Sequence, residues 1–441
     1  VTVRRRGAAA LVLLAFAGCA HWRVNDRLPE RPASPGYRFE ALPADAANTD
    51  SLMVCLAFSG GGTRAAALAF GVLEELRDTT VVWDGKERRL LDEVDAISAV
   101  SGGAFVGASW ALFRDRAFDH LHASFLDRDV ESDLKFHTAL ASFWLPFSPL
   151  YTRGDLAADY FDSTIFGGKT YGDLAAAGRP YLMVNATDLS TGEPFAFTQD
   201  QFDLIGSDLA SYRVANSVTA SCSVPVVFPP ITIANWNEPD RAVPPELARE
   251  EADGDARLAR WAEGRARYVA AGHPKFHHLA DGGIADNSGV RALWAELRRP
   301  DGFLARAIRD RPVRKLLVIA VDASSEWRPN VGDEEHHPNV LLVARMAAPI
   351  AVNGLTFENL RLLRDDPAIK AALAQRNVDF RFVEVGLRAI ADPERRKTLG
   401  AIPTTLGLPR EQVAQLITAG REVLRNDPEM KRFLADLGGK K

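Results

Sequence analysis

The sequence predicts an α/β fold, a mostly parallel central sheet in a three-layer arrangement with helices on its faces. Two observations predict it. Apolar runs of strand length recur along the chain, and the first two are each followed at once by a segment with helical spacing. The first of these runs, Leu52 to Phe58, is continuous rather than alternating, as expected of a strand buried on both faces, and helices alternating with strands favour a mostly parallel sheet.

The first run is Leu52 to Phe58, and Ala65 to Leu76 follows with helical spacing and strong helix formers. Val94 to Val100 and Gly102 to Phe113 repeat the strand–helix pattern. Tyr181 to Ala186, Lys315 to Val321 and Phe380 to Val385 predict three more strands, and Arg410 to Arg425 and Glu429 to Leu437 two late helices. Glu238 to His273 is charged and helix-prone between proline-containing stretches, which predicts a surface insertion. Phe143 to Tyr151 is aromatic and broken by prolines. It fits either a core-packing loop or the wall of an acyl-chain pocket, since lipid sites are mostly apolar.

At 441 residues and 47% apolar, the chain can bury a large core. A net charge of −5 gives no electrostatic footprint for nucleic acid. Arg4-Arg5-Arg6, the apolar run Ala8 to Ala17 and the small residues before Cys19 have the order of a secretory signal. Phe16-Ala17-Gly18-Cys19 resembles the lipobox of bacterial lipoproteins, with phenylalanine where leucine is usual. The expected organisation is a signal over 1–18, a proline-rich tether over 19–50 anchored through acylated Cys19, and a globular domain over 51–441. That places the chain in a bacterial cell envelope as a lipid-anchored membrane protein. Ala20 after the cysteine points to the outer membrane where there are two. Cys55 and Cys222 sit in apolar or small-residue contexts and need not pair.

Three motifs carry chemistry. Ser59-Gly60-Gly61-Gly62-Thr63-Arg64 follows the first strand and offers backbone N–H groups uncovered by side chains. Ala99-Val100-Ser101-Gly102-Gly103 sets a serine at a strand-to-helix elbow, where the hydroxyl stands out and the helix dipole favours negative charge. Ala99 departs from the first glycine of G-x-S-x-G by one methyl. Leu279-Ala280-Asp281-Gly282-Gly283 adds a carboxylate in a tight turn. A hydroxyl, a base and backbone donors together suit acyl transfer.

The glycine loop also fits the dinucleotide fingerprint, with Asp84 about 20 residues on. That reading leaves the serine elbow unexplained. His336-His337 follow Asp281 and keep a Ser–Asp–His order open, while His273, His277 and His278 could hold a metal. A solvated or structural role suits both sets better, because no carboxylate spacing completes a metal site.

The glycine loop with Arg64, the elbow at Ser101, the small-residue and proline segment Ala220 to Pro230, and Asp281-Gly282-Gly283 together resemble the patatin-like phospholipase family, in its order, over about 52–288. The resemblance implies a lipid acyl hydrolase acting on phospholipids or related esters, with no metal or organic cofactor. Ser101 would be the nucleophile and Asp281 its base, without histidine. Gly60, Gly61 and Gly62 would form the oxyanion loop, with Arg64 bracing it. A silent scaffold or binding protein on the same fold is the second expectation.

Overall fold

The computed structural model describes residues 25–29, 36–142, 145, 148, 151–225, 227–238, 243–252, 254–324 and 340–438. Cys19, the pair His336-His337, and Phe143, Trp144, Pro146, Phe147, Pro149 and Leu150 of the aromatic stretch lie outside the described residues.

Ten strands follow one another along the described chain. They are β1 (Leu52–Phe58), β2 (Thr80–Trp83), β3 (Lys86–Arg89), β4 (Val94–Val100), β5 (Tyr181–Asp188), β6 (Glu193–Ala196), β7 (Ile231–Ala234), β8 (Phe276–Asp281), β9 (Lys315–Asp322) and β10 (Asp379–Gly386). The main sheet runs β10-β9-β1-β4-β5-β8-β7, with β6 also paired to β5, while β2 and β3 form a separate hairpin. From β10 to β5 every pairing is parallel; β6, β7 and β8 join antiparallel. Every residue of β1, β4 and β5 is buried, which is why those segments read as unbroken runs in the sequence.

The chain leaves β1 towards β4 and β5 on one side and returns to β9 and β10 on the other. Loops at the carboxyl ends of β1 and β4 therefore lie beside a topological switch point, where open α/β sheets place their ligands. The helix after β1 spans Gly62–Asp78, three residues earlier than its apolar spacing predicts, because Gly62, Thr63 and Arg64 already belong to its first turn. The helix Arg410–Asn426 packs directly on it through two glycines. A Cβ on Gly71 would stand 2.1 Å from Ile417 O, and one on Gly420 would stand 2.3 Å from Leu68 O. Arg425 adds hydrogen bonds of 2.7 and 2.5 Å to both carboxylate oxygens of Glu75.

The segment expected to be an insertion forms the helices Pro245–Glu251 and Ala256–Ala266. Its outer face is charged, but Leu247, Leu258, Ala262, Tyr268 and Val269 are buried. A buried Arg299 Nε–Glu250 Oε1 pair at 2.6 Å ties it to the helix Val290–Arg298 and the body beneath.

Candidate active site

The sheet register brings serine and aspartate together from positions 180 residues apart in sequence. Val100, the last residue of β4, pairs with Asn185 on β5. Asp281, the last residue of β8, pairs with the next residue, Ala186, from the opposite side. Ser101 thus leaves the sheet on one flank of β5 while Asp281 stands on the other. The Ser101 hydroxyl faces the Asp281 carboxylate closely enough to lower its pKa as a hydrogen-bond donor.

Ser101 sits at φ 48° and ψ −119°, a strained conformation for a side-chain-bearing residue. The surroundings hold it there. Its N–H donates to Ser221 Oγ at 2.7 Å, and that hydroxyl donates on to Asn185 O at 2.6 Å. Gly102 must lack a side chain, since a Cβ there would stand 2.0 Å from Gly62 O. One on Gly103 would stand 2.7 Å from both Phe58 Cβ and Ser59 O. Ala99 is buried where the helix Gly102–Phe113 crosses β4, and a Cβ on Gly107 would lie 3.4 Å from Ala99 Cβ. A small residue at 99 therefore permits the close crossing. The helix then presents its N-terminus, with its partial positive charge, to Ser101.

Asp281 is 9% exposed and, among the described residues, has no cation against it. Burial pushes its pKa up to about 6, opposed by the Gly283 N–H and the Ser101 hydroxyl. The Gly283 bond, to Asp281 Oδ1, is 2.7 Å long. Such a carboxylate is ionised at neutral pH yet a better proton acceptor than an exposed one. The segment between the motifs fixes its backbone. Asp281 N–H donates to Ser223 O at 2.9 Å, and Gly282 N–H to Ser221 O at 3.2 Å. Ser221 thus buttresses both the elbow and the aspartate turn, and gives the resemblance over 220–230 a structural reason.

The glycine loop divides its labour. Gly60 N–H donates to Asn287 O at 2.9 Å, so this donor is engaged and the expectation that Gly60 serves an oxyanion needs correcting. Gly60 is instead a close-approach residue, for a Cβ there would stand 2.4 Å from Asn287 Oδ1 and 3.2 Å from Ser101 Cβ. Gly61 and Gly62 have φ of 140° and 59°, and among the described residues their N–H groups have no acceptor. Thr405 O closes the loop from outside. It accepts Thr63 N–H at 2.8 Å and would stand 2.2 Å from a Cβ on Gly62. Arg64 is buried and braces the loop, donating to Ala323 O at 3.0 Å and Ile402 O at 2.5 Å. Burial lowers its pKa to about 10, with Asp322 acting in the opposite sense.

Other polar residues singled out in the sequence lie elsewhere. Asp84 pairs with Arg314 beside the β2–β3 turn, away from the glycine loop. His277 is fully buried, with Nδ1 2.7 Å from Asp188 Oδ2 and Nε2 3.2 Å from Asn235 Nδ2. His278 Nδ1 lies 3.0 Å from Thr232 Oγ1, and His273 contacts Pro274 O. Among the described residues, no three His, Cys, Asp or Glu side chains are placed to hold a metal ion, and no helix is long and apolar enough to cross a membrane. Cys55 and Cys222 are buried free thiols.

A family model for patatin-like phospholipases matches residues 56–294. Among solved structures, the chain is similar to the human GIVD cytosolic phospholipase A2, with 13% identity and a TM-score of 0.40 over 88% of this chain and 60% of that one. It is also similar to VipD from Legionella pneumophila, with 14% identity and a TM-score of 0.32 over 88% of this chain and 67% of that one. No curated protein matches. The matched segment covers more than half of the chain and holds the glycine loop, the elbow and the aspartate turn in order. The chain belongs to the patatin-like phospholipase family.

Proposed function

We propose that the chain is a lipid acyl hydrolase that cleaves carboxylic esters, phospholipids foremost, with a Ser101–Asp281 dyad. The observation that carries this reading is the Ser101 hydroxyl facing a buried carboxylate, beside two backbone N–H groups, where among the described residues the carboxylate has no cation against it and the N–H groups have no acceptors. Ser101 Oγ attacks the acyl carbon as its proton passes to Asp281. The carbonyl oxygen becomes an oxyanion and accepts the N–H groups of Gly61 and Gly62. Collapse breaks the ester bond, and Asp281 returns the proton to the leaving alcohol. Water then repeats the sequence on the acyl-Ser101 intermediate, releasing the fatty acid and restoring the serine.

The test is labelling and product profiling on the full chain. An alkyl fluorophosphonate should form a Ser101 Oγ–phosphorus bond with loss of fluoride, and phospholipid vesicles should release fatty acid. Both should vanish in Ser101→Ala. A folded protein that takes no label and releases no fatty acid is a scaffold, and the proposal fails.

The lipobox-like segment supports a second part of the reading, anchoring through acylated Cys19 in a bacterial envelope. Each buried methylene contributes about 0.8 kcal/mol, so two or more acyl chains hold a protein stably on a membrane. Cys19→Ser should release the protein into the soluble fraction; unchanged membrane association would defeat the anchor.

A further inference from the structure

Asn287 is fixed at the centre of the site by its own backbone. Its carbonyl accepts the Gly60 N–H, which ties the end of the Asp-Gly-Gly turn to the glycine loop. Its side-chain amide then reaches between the groups assigned to catalysis. Asn287 Oδ1 lies 2.4 Å from the point where Gly60 would carry a Cβ, and Ser101 Cβ lies 3.2 Å from that same point. On its other side it lies 2.9 Å from the Cβ point of Gly283, which is 2.8 Å from Asp281 Oδ1. Serine, aspartate and glycine loop therefore surround one amide, and the two glycines leave it the room.

That amide is half-buried, and among the described residues neither of its polar atoms has a hydrogen-bond partner. Several other polar groups close to the dyad are engaged. Ser221, Asn185, Thr187 and the Gly283 N–H all hold backbone or carboxylate atoms in place. With both ends free of protein partners and its backbone anchored beside the dyad, this amide is open to a ligand. Rotating the amide by half a turn exchanges its donor and acceptor ends without moving the backbone anchor.

We propose that Asn287 is a further catalytic residue, its amide N–H donating to the carbonyl oxygen of the scissile ester as that oxygen gains negative charge. The assignment rests on the hydrolase reading above. It supplies a side-chain donor beside the backbone donors of Gly61 and Gly62. A donor aimed at developing charge binds the transition state more strongly than the substrate, so it acts on kcat more than on KM.

The experiment compares the full chain with Asn287→Ala and Asn287→Asp, using a nitrophenyl ester and a fluorophosphonate label. The backbone carbonyl that holds Gly60 is present in all three. Asn287→Ala should lower kcat by about 100-fold, as loss of one oxyanion donor does, with KM within about threefold and an unchanged thermal midpoint. Asn287→Asp should lower kcat and also move the acid limb of the pH profile upward, because a second carboxylate beside Asp281 disfavours its charged form. Near-normal kcat in Asn287→Ala overturns the assignment, as does a loss that tracks a fall in folded fraction or an Asn287→Asp profile with its acid limb unmoved. A wild type inert to both ester and label removes the hydrolase reading and this assignment with it. An active wild type matched by Asn287→Ala removes this assignment alone.

Discussion

Asp95 lies near the start of β4 at one end of the sheet, and Asp281 closes β8 at the other. Both are buried, and burial pushes both carboxyls above the usual range. Their partners differ. Asp95 meets the Arg179 guanidinium at 3.0 Å and accepts the Val54 N–H at 2.9 Å, so charge and hydrogen bonds are answered from within the fold. Asp281 has the Ser101 hydroxyl and the Gly283 N–H, and among the described residues no guanidinium or ammonium against it. A raised pKa therefore does not distinguish a base from a structural carboxylate. The distinguishing feature is a transferable proton facing a carboxylate that the fold has left without a cation.

The sharpest way to break that contrast is to remove each carboxylate's function in turn. Asp281→Asn and Ser101→Ala should each lower kcat/KM by about 10⁴-fold with the fold intact, and the double variant should lose little more, as residues acting as a unit do. If Asp281→Asn turns over ester at more than a tenth of the wild-type rate, the dyad is wrong. Asp95→Asn should do the reverse. It takes one of two carboxylates from the Arg179 guanidinium, which keeps Asp50 at 3.2 Å, and should lower the midpoint of a urea titration while the folded fraction keeps its turnover.

A subtler contrast lies in how stability answers to pH. The folded pKa of Asp281, about 6, exceeds the roughly 3.9 of an unfolded aspartate. Its contribution to stability is thus full below about pH 4 and lost as pH rises through about 6. Asp281→Asn should accordingly be more stable than wild type at pH 8, by about 3 kcal/mol, with the gap closing as pH falls from 6 to 4. An Asn variant less stable at pH 8 would mean the carboxylate is better compensated than its surroundings indicate. The smallest effect is kinetic. Below about pH 6, kcat/KM should fall about tenfold per pH unit as Asp281 is protonated, in wild type and in Asp95→Asn alike. A limb that moves with Asp95→Asn would couple the two ends of the sheet.

Much of this was legible in the chain. Predominantly apolar runs located β1, β4, β5, β9 and β10 to within one or two residues; the first four are almost wholly buried, while half-buried β10 alternates apolar and charged residues. Ser101, Asp281 and the glycine loop were legible because a strained elbow and close backbone approach restrict composition locally. Their juxtaposition was not, since it depends on Val100 and Asp281 meeting neighbouring residues of β5. The burial that shifts Asp281 is likewise a product of distant packing. Nor was there a local signal for Ile402 and Thr405, which act through carbonyl oxygens that every residue possesses. Asn287 stood four residues past the Asp-Gly-Gly motif, and only the contact with Gly60 gives it meaning. The short antiparallel β6 and β7 lack the long apolar runs that marked the parallel strands.

The register between β1 and β9 carries a consequence for modularity. All seven residues of β1 pair with residues 315 to 321, beyond the segment that bears the family signature. A fragment trimmed to 56–294 would retain Ser101 and Asp281 and yet keep only Leu56, Ala57 and Phe58 of β1, leaving an apolar sheet edge without its β9 partner, the kind of surface that recruits other strands. It would also forfeit the carbonyls that seat Arg64 and cap Gly62. Transplanting the chemistry to another protein therefore means moving the far half of the sheet as well; the catalytic signature is not a portable cassette.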